Sequence, residues 1–322
     1  MTRVAAVDCG TNSLRLLIVD LDPAAGRAVE VERRTTIVRL GQDVDRTGSF
    51  APAALARTFA VLDGYAADIE RLDVQRTRFV ATSAARDVTN RAELIDGVRT
   101  RIGVEPEVIS GSEEARLSFE GATRELVGDP AFRGPIAVLD IGGGSTELVT
   151  RTAGGHVVGE SMDVGSVRLT ERHLHDDPPT GSQVSRAETD VEAALQRLPL
   201  PLDEVGTLVG VAGTVTTLAA MVLGLERYDR ELVHRARIGT PELMSCVDRV
   251  IAMSVAQRRA LPFMHPRRAD VIGGGALLLG CVVRRLGLPE LVASEHDILD
   301  GIAWSLAPEP VDSVVSGQEQ AS

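Results

Sequence analysis

The sequence predicts an α/β protein built as two similar halves. Chain length, the alternation of short apolar strands with amphipathic helices, and an internal repeat carry that expectation. At 322 residues the chain exceeds what one core comfortably supports, so two domains are expected. The repeat is the sharpest of the three signals. "VDCGTNSLRLLI", beginning at Val7, lies over "LDIGGGSTELVT", beginning at Leu139, with Asp8 on Asp140, Gly10 on Gly142, Ser13 on Ser145 and Leu16 on Leu148. Each copy ends a buried strand on an Asp and follows it with a turn of small residues.

The elements follow in order. "RVAAVDCGTNSLRLLIVDLD" is two apolar runs around a Gly/Asn/Ser turn, a hairpin signal, and "TTIVRLGQDV" adds a strand. "PAALARTFAVLDGYAADIERL" has helical spacing, with Pro52 suited to a first turn. "RTRFVATSAA" reads as a strand. Asn90 with Glu93 reads as a capping box for a helix through Arg101. "EPEVIS" is a short strand, and Ser112 is placed to cap a helix from Glu113 toward Leu126. The pattern resets near "VGDPAFRGP", which predicts domains at 1–126 and 127–306. In the second half come "IAVLDIGGGSTELVT", "HVVGESMDVGSVRLTERHL", a solvated loop at "HDDPPTGSQ", a helix over 184–197, the strand "TLVGVAG", a helix from Thr214, and mostly helix from Pro241 to Leu286. Residues 307–322, rich in Pro, Ser and Gln, are expected to be a disordered tail.

Composition narrows the function. With 44% hydrophobic and 25% charged residues the chain reads as a globular protein. No apolar run approaches the roughly 20 residues of a membrane span, and no signal-peptide layout opens the chain, so a cytoplasmic protein without a membrane partner is expected. Cys9, Cys246 and Cys281 are scattered and odd in number, which points to buried free thiols. A net charge of −12 disfavours nucleic-acid binding. All 34 basic residues are arginine, which excludes Walker-A loops, protein kinases and Schiff-base enzymes, each of which needs a lysine.

The repeat permits a specific chemistry. Glycine turns expose N–H groups that can nest phosphate oxygens, with Asn12, Ser13, Ser145 and Thr146 adding side-chain donors. Two Asp carboxylates across a cleft could hold Mg²⁺. Two hairpins whose glycines merely turn the chain are the plainer alternative, and the matched pair weighs against it. "GGGSTE" and "GGGALL" lack the spacing of a dinucleotide loop, and no GxSxG is present.

Six blocks occur in order: "VDCGTNSLRLLIVD", "VATSAARDVTN", "ISGSEEARLSFEGA", "LDIGGGSTELV", "GVAGTVTTLA" and "RRADVIGGGALLL". Over roughly residues 3–305 they resemble the exopolyphosphatase/guanosine pentaphosphate phosphatase family, within the actin, sugar-kinase and heat-shock-chaperone ATPase superfamily. The resemblance implies two ribonuclease-H-like (actin-like ATPase) domains with an active site between them, a Mg²⁺ cofactor and a dimer. Residue by residue it implies metal-side acids at Asp8, Asp140 and Glu147. It implies phosphate contacts from Asn12, Ser13, Arg86, Gly143, Gly144, Ser145, Thr146, Gly213 and Thr214, and a catalytic base at Glu113, with Glu114 as the second candidate. The block "SEHDILDG" departs from a Gly-Leu-Arg-Glu-Gly-like stretch of many relatives, which removes a basic contact and puts long-chain processivity in question.

The expected reaction is Mg²⁺-dependent release of the terminal phosphate of polyphosphate. Removal of the 5′ phosphate of guanosine pentaphosphate is the close alternative, and an ATP-dependent kinase a more distant one. A non-catalytic nucleotide sensor would have little use for Asp8, Glu113, Asp140 and Glu147 together. Arginines between 249 and 285 could also guide a polyanion toward the cleft.

Overall fold

The computed structural model describes residues 1–307 except 127, 128, 130, 131, 133 and 153. The expected tail beyond 307, and parts of the expected junction near 127–135, lie outside the described residues. The chain forms two mixed sheets. The first has order β3-β2-β1-β4-β5, from strands β1 (Thr2–Cys9), β2 (Ser13–Asp22), β3 (Arg27–Ile37), β4 (Arg76–Ala81) and β5 (Glu107–Val108). The second has order β10-β11-β9-β6-β7-β8, from β6 (Ile136–Ile141), β7 (Thr146–Arg151), β8 (Val157–Met162), β9 (Thr207–Val211), β10 (Arg237–Gly239) and β11 (Glu290–Ala293). In each sheet an antiparallel meander of three strands meets two parallel strands through the first strand of the meander. That is the ribonuclease-H-like topology, present twice as the repeat predicts. In the second sheet β10 adds an antiparallel edge strand.

Both faces of each sheet are covered, which is why the central strands are continuously apolar rather than alternating. On the first sheet, α1 (Pro52–Arg71) and α2 (Arg91–Ile102) bury Leu55, Leu62, Tyr65, Leu94 and Val98 against β1 and β2. The second sheet carries α4 (Ser166–His173), α5 (Gly181–Gln196), α6 (Ala212–Val222), α7 (Thr240–Ala252) and α8 (Ile272–Leu286) over its larger core.

The opposite faces are exchanged between the halves. Helix α3 (Gly111–Thr123), which follows the first sheet, packs Ala115, Phe119 and Ala122 on Val138, Val149 and Val209 of the second. Helix α9 (Ile298–Ser305), which follows the second sheet, packs Ile298, Leu299 and Ile302 on Val4, Ala6, Leu17 and Val19 of the first. The two helices cross at glycines. A Cβ on Gly121 would lie 1.9 Å from the Asp297 carbonyl oxygen, and one on Gly301 would lie 2.0 Å from that of Leu117. The sequential division at 126/127 therefore separates the sheets but not the cores.

Two helix starts differ from expectation. The Asn90 side chain accepts the Phe50 N–H at 2.8 Å and donates to the Phe50 carbonyl and to Glu93, so it fastens a loop and does not cap α2. Helix α3 is capped by Ser110, whose Oγ accepts the Glu113 N–H at 3.2 Å, rather than by Ser112. The three cysteines are buried and free.

Candidate active site

The exchange of helices leaves a cleft of about 480 Å³ between the sheets. Asp8 and Asp140, at the ends of β1 and β6, line it together with the turns that follow. Of the residues expected at the site, Asp8, Asn12, Ser13, Asp140, Gly143, Ser145, Gly213 and Thr214 line this cleft.

The glycine run has a second task besides any ligand. A Cβ on Gly144 would come within 2.7 Å of Thr11 Oγ1 and 2.9 Å of Ser83 Oγ, and one on Gly143 within 3.0 Å of Thr11 Cβ. Thr11 and Ser83 are themselves hydrogen-bonded at 3.0 Å. The turn of one half thus rests directly on the turn of the other, and only backbone fits between. The carbonyls of Gly142 and Gly143 accept the first N–H groups of α4.

Four expected residues are not among those that line the cleft. The Thr146 hydroxyl donates to the Val164 carbonyl at 2.7 Å. Gly144 faces Thr11 and Ser83. Glu147 is fully buried beside Asp140, its strand partner, and accepts a 2.6 Å hydrogen bond from Ser161 Oγ. Arg86, expected to reach phosphate, donates instead to Glu114 Oε2 at 2.7 Å and to the Ile109 carbonyl at 3.1 Å.

The structure sets the two candidates for the base apart. Glu113 points outward, its side chain 29% exposed and paired with Arg116 at 2.8 Å, with Arg78 at 3.5 Å. Hydrogen bonding to Arg116 holds its carboxyl below the usual range. Glu114 lines the cleft with a side chain 10% exposed. The cause is the cap: with Ser110 at the N-cap, Glu113 is the third helical residue and Glu114 is turned about 100° further, toward the cleft. A Ser-x-x-Glu pattern ending at Glu113 was the available signal that this acid belongs to the helix start.

The buried carboxylates raise one another. Burial pushes Glu114 up to about 7 against the pull of Arg86, and Asp140 up to about 6, with Asp297 adding repulsion. Glu147 is raised further by burial and by Glu114 and Asp140. Ser118, on α3, donates to Asp140 Oδ2 at 2.7 Å. Asp8 Oδ2 accepts from Arg15 Nε at 2.8 Å and from its Nη2 at 2.7 Å, while Asp8 Oδ1 is buried with no partner. A buried, unpaired carboxylate oxygen in a cleft rich in carboxylates fits a hard divalent cation.

Arg15, Ser83, Arg268 and Asp297 line the cleft without having been assigned a role at the site from the sequence, and Glu114, the second candidate for the base, lines it too. Arg268 lies over Gly213, where a Cβ would fall 2.3 Å from its Nη2, and donates to Thr217 Oγ1 at 2.8 Å. No carboxylate among the described residues pairs with it, and burial lowers its pKa. The turn beneath enters α6 through Ala212 at φ 63°, a left-handed conformation that is uncommon without glycine. A further cluster, Glu125, His234 and His296, is not among the residues that line the cleft. There His234 Nδ1 accepts the Glu295 N–H, which puts the proton on the Nε2 facing Glu125 and makes a hydrogen-bonded clasp.

Comparison with known proteins agrees with this architecture. The family model described as "Ppx/GppA phosphatase family" matches residues 18–309. Exopolyphosphatase 2 of Mycobacterium tuberculosis is 50% identical over 324 residues, covering 95% of this chain and 99% of the relative. A crystal structure described as an exopolyphosphatase-like protein superposes with TM-score 0.90 at 41% identity, covering 94% and 98% of the two chains. The Aquifex aeolicus member of the Ppx/GppA family superposes with TM-score 0.79 at 30% identity, covering 94% and 97%. With this cleft, these acids and this doubled topology, the chain belongs to the Ppx/GppA phosphatase family.

Proposed function

We propose that this phosphoanhydride hydrolase takes inorganic polyphosphate as its substrate and releases the terminal phosphate with Mg²⁺ as cofactor. The observation that carries the reading is the meeting of the two glycine turns and a buried carboxylate, Glu114, in one cleft. Asp8 and Asp140 would hold the cation, Asp8 through its free Oδ1, with Glu147 beside Asp140 on the neighbouring strand as a further carboxyl oxygen donor. When bound, Mg²⁺ neutralises charge on the phosphate being transferred. The backbone and hydroxyls of Asn12, Ser13, Gly143, Ser145, Gly213 and Thr214 orient the phosphate oxygens. Arg268, with no carboxylate partner, offers its charge to the anionic chain.

Hydrolysis of a phosphoanhydride needs positioning and charge compensation more than covalent help. Glu114 orients the attacking water and accepts its proton, and a carboxyl poised near 7 suits that role at neutral pH. Arg86 fixes the Glu114 rotamer from behind. Guanosine pentaphosphate is the second reading, favoured by one feature: Ile37, Pro262, Phe263 and Met264 give one wall of the cleft an apolar surface that a bare phosphate chain would leave unused.

The test is phosphate release from polyphosphate, guanosine pentaphosphate and ATP, each with Mg²⁺ and with chelator. Polyphosphate should be cleaved fastest and chelator should abolish release. Preference for the nucleotide would select the second reading, and release unaffected by chelator would overturn the metal-assisted one.

A further inference from the structure

The repeat places Arg15 where the second half has Glu147. Arg15 pairs with Asp8 across β1 and β2, as Glu147 pairs with Asp140 across β6 and β7. The Arg15 guanidinium is largely buried and does not rest on Asp8 alone. Its Nη1 donates to Asp297 Oδ2, at the first turn of α9, the helix the second half lends to the first sheet. Asp297 comes from the "SEHDILDG" block.

Both oxygens of Asp297 are committed. Oδ1 accepts the Leu299 N–H at 2.9 Å and Oδ2 accepts from Arg15, so neither oxygen of Asp297 is left bare as Asp8 Oδ1 is. Its backbone is clamped where α3 crosses, since Gly121 leaves no room for a Cβ beside the Asp297 carbonyl. Burial pushes the Asp297 carboxyl up, but Arg15 and Arg33 outweigh that and hold it charged. The result is a guanidinium fixed at both ends. Nε and Nη2 meet one oxygen of Asp8, Nη1 meets Asp297, and Asp8 Oδ1 stays bare.

We propose that Asp297 is a positioning residue for the hydrolase site: by sharing Arg15 with Asp8, it keeps the guanidinium on Oδ2 and leaves Oδ1 open to a divalent cation. This rests on the reading of Asp8 as a cation-holding residue. Without Asp297, the Arg15 fork would be free to close on both oxygens of Asp8, the geometry such pairs favour, and would compete with the cation.

The experiment is calorimetric titration of the purified full chain with Mn²⁺, and Mg²⁺ activation curves for polyphosphate hydrolysis, in Asp297→Asn, Arg15→Lys and Glu295→Gln. The amide of Asp297→Asn can still accept the Leu299 N–H, so α9 keeps its cap. Partners that orient metal-holding groups are worth 10–100-fold in affinity, so Asp297→Asn should weaken Mn²⁺ binding by about that factor. The Mg²⁺ requirement should shift equally, with turnover at saturating Mg²⁺ near wild type. Arg15→Lys, which cannot bridge both carboxylates, should do the same and serves if Asp297→Asn does not fold. Glu295→Gln removes a charge from the same cleft without touching Arg15 and should change Mn²⁺ affinity little. Equal Mn²⁺ binding by wild type, Asp297→Asn and Arg15→Lys overturns the proposal. So does an equal loss in Glu295→Gln, because charge alone would then explain the effect. A wild type that binds no Mn²⁺ overturns the cation reading and the role of Asp297 with it.

Discussion

Replacing Glu114 by Gln is the sharpest test of the proposed chemistry. The amide keeps the length of the side chain and an oxygen for Arg86, whose Nη1 lies 2.7 Å from Glu114 Oε2, but it cannot take a proton from water. The cost to folding should be small. Burial already holds the carboxyl up at about 7, so near neutrality the metal-free fold tolerates an uncharged group there, and Gln resembles that form. The cost to turnover should be about 10²–10⁴-fold, the usual worth of a general base. Polyphosphate affinity should hold or rise, since a negative charge leaves a site for a polyanion. Glu113→Gln is the matched control. It loses only half-exposed pairs with Arg116 and Arg78, worth about 0.2–1 kcal/mol each, and should leave turnover near wild type. Single-turnover phosphate release, with equilibrium binding of a short polyphosphate, measures both variants. A collapse in Glu113→Gln with normal release by Glu114→Gln would refute the assignment. Normal release by both would mean that no protein carboxylate at this helix start acts as base.

Asp140→Ala removes a carboxylate from the cation site and should raise the Mg²⁺ requirement and lower turnover together; an unchanged Mg²⁺ activation curve would count against its role. The pH dependence of stability follows from burial. Glu114 at about 7, Asp140 at about 6 and Glu147, also raised by burial, all exceed their unfolded values, so the folded chain keeps protons that the unfolded chain has released. Stability from these groups is complete below the unfolded carboxylate range and is lost as pH rises through about 6–7. Chelator-treated protein should therefore melt lower near pH 8 than near pH 6, and Mg²⁺ should recover more at the higher pH; equal melting temperatures would refute this. Gly301→Ala drives a Cβ to within 2.0 Å of the Leu117 carbonyl oxygen and should lower the melting temperature by several degrees, from about 1–3 kcal/mol of overpacking, unless α3 and α9 can separate.

The sheets were legible because their signals are local. Continuous apolar runs, glycine turns and the doubled "VDCG…LDIG" pattern fix strands and pairing, and they fix where Asp8 and Asp140 emerge. The exchange of α3 and α9 was not legible, because an apolar helix face does not say which sheet it covers. The side-chain placements that differ from expectation share one cause. Arg86 and Thr146 carry groups that can bind phosphate, but each found a nearer partner in the protein, Glu114 and the Val164 carbonyl. Glu113 and Glu114 differ only in helical phase, and the phase turned on whether Ser110 or Ser112 caps the helix.

Duplication also explains why the cleft is not symmetric. Two identical halves would set an Asp and a Glu on each facing hairpin, four buried carboxylates with Glu114 as a fifth. Like charges in a buried space push one another toward the neutral form, as Glu147 already shows. A cation-binding oxygen must instead stay charged. Arg15 in place of a second Glu favours that condition on one side, because the guanidinium pulls against the burial that pushes Asp8 up. A lone buried guanidinium between two strands would close on Asp8 and occupy the oxygen it protects. Asp297, brought over on α9 from the other half, is the counterweight. The departure at "SEHDILDG" and the arginine of "NSLRLL" are thus two ends of one arrangement, which is why substitutions at either should move cation affinity together.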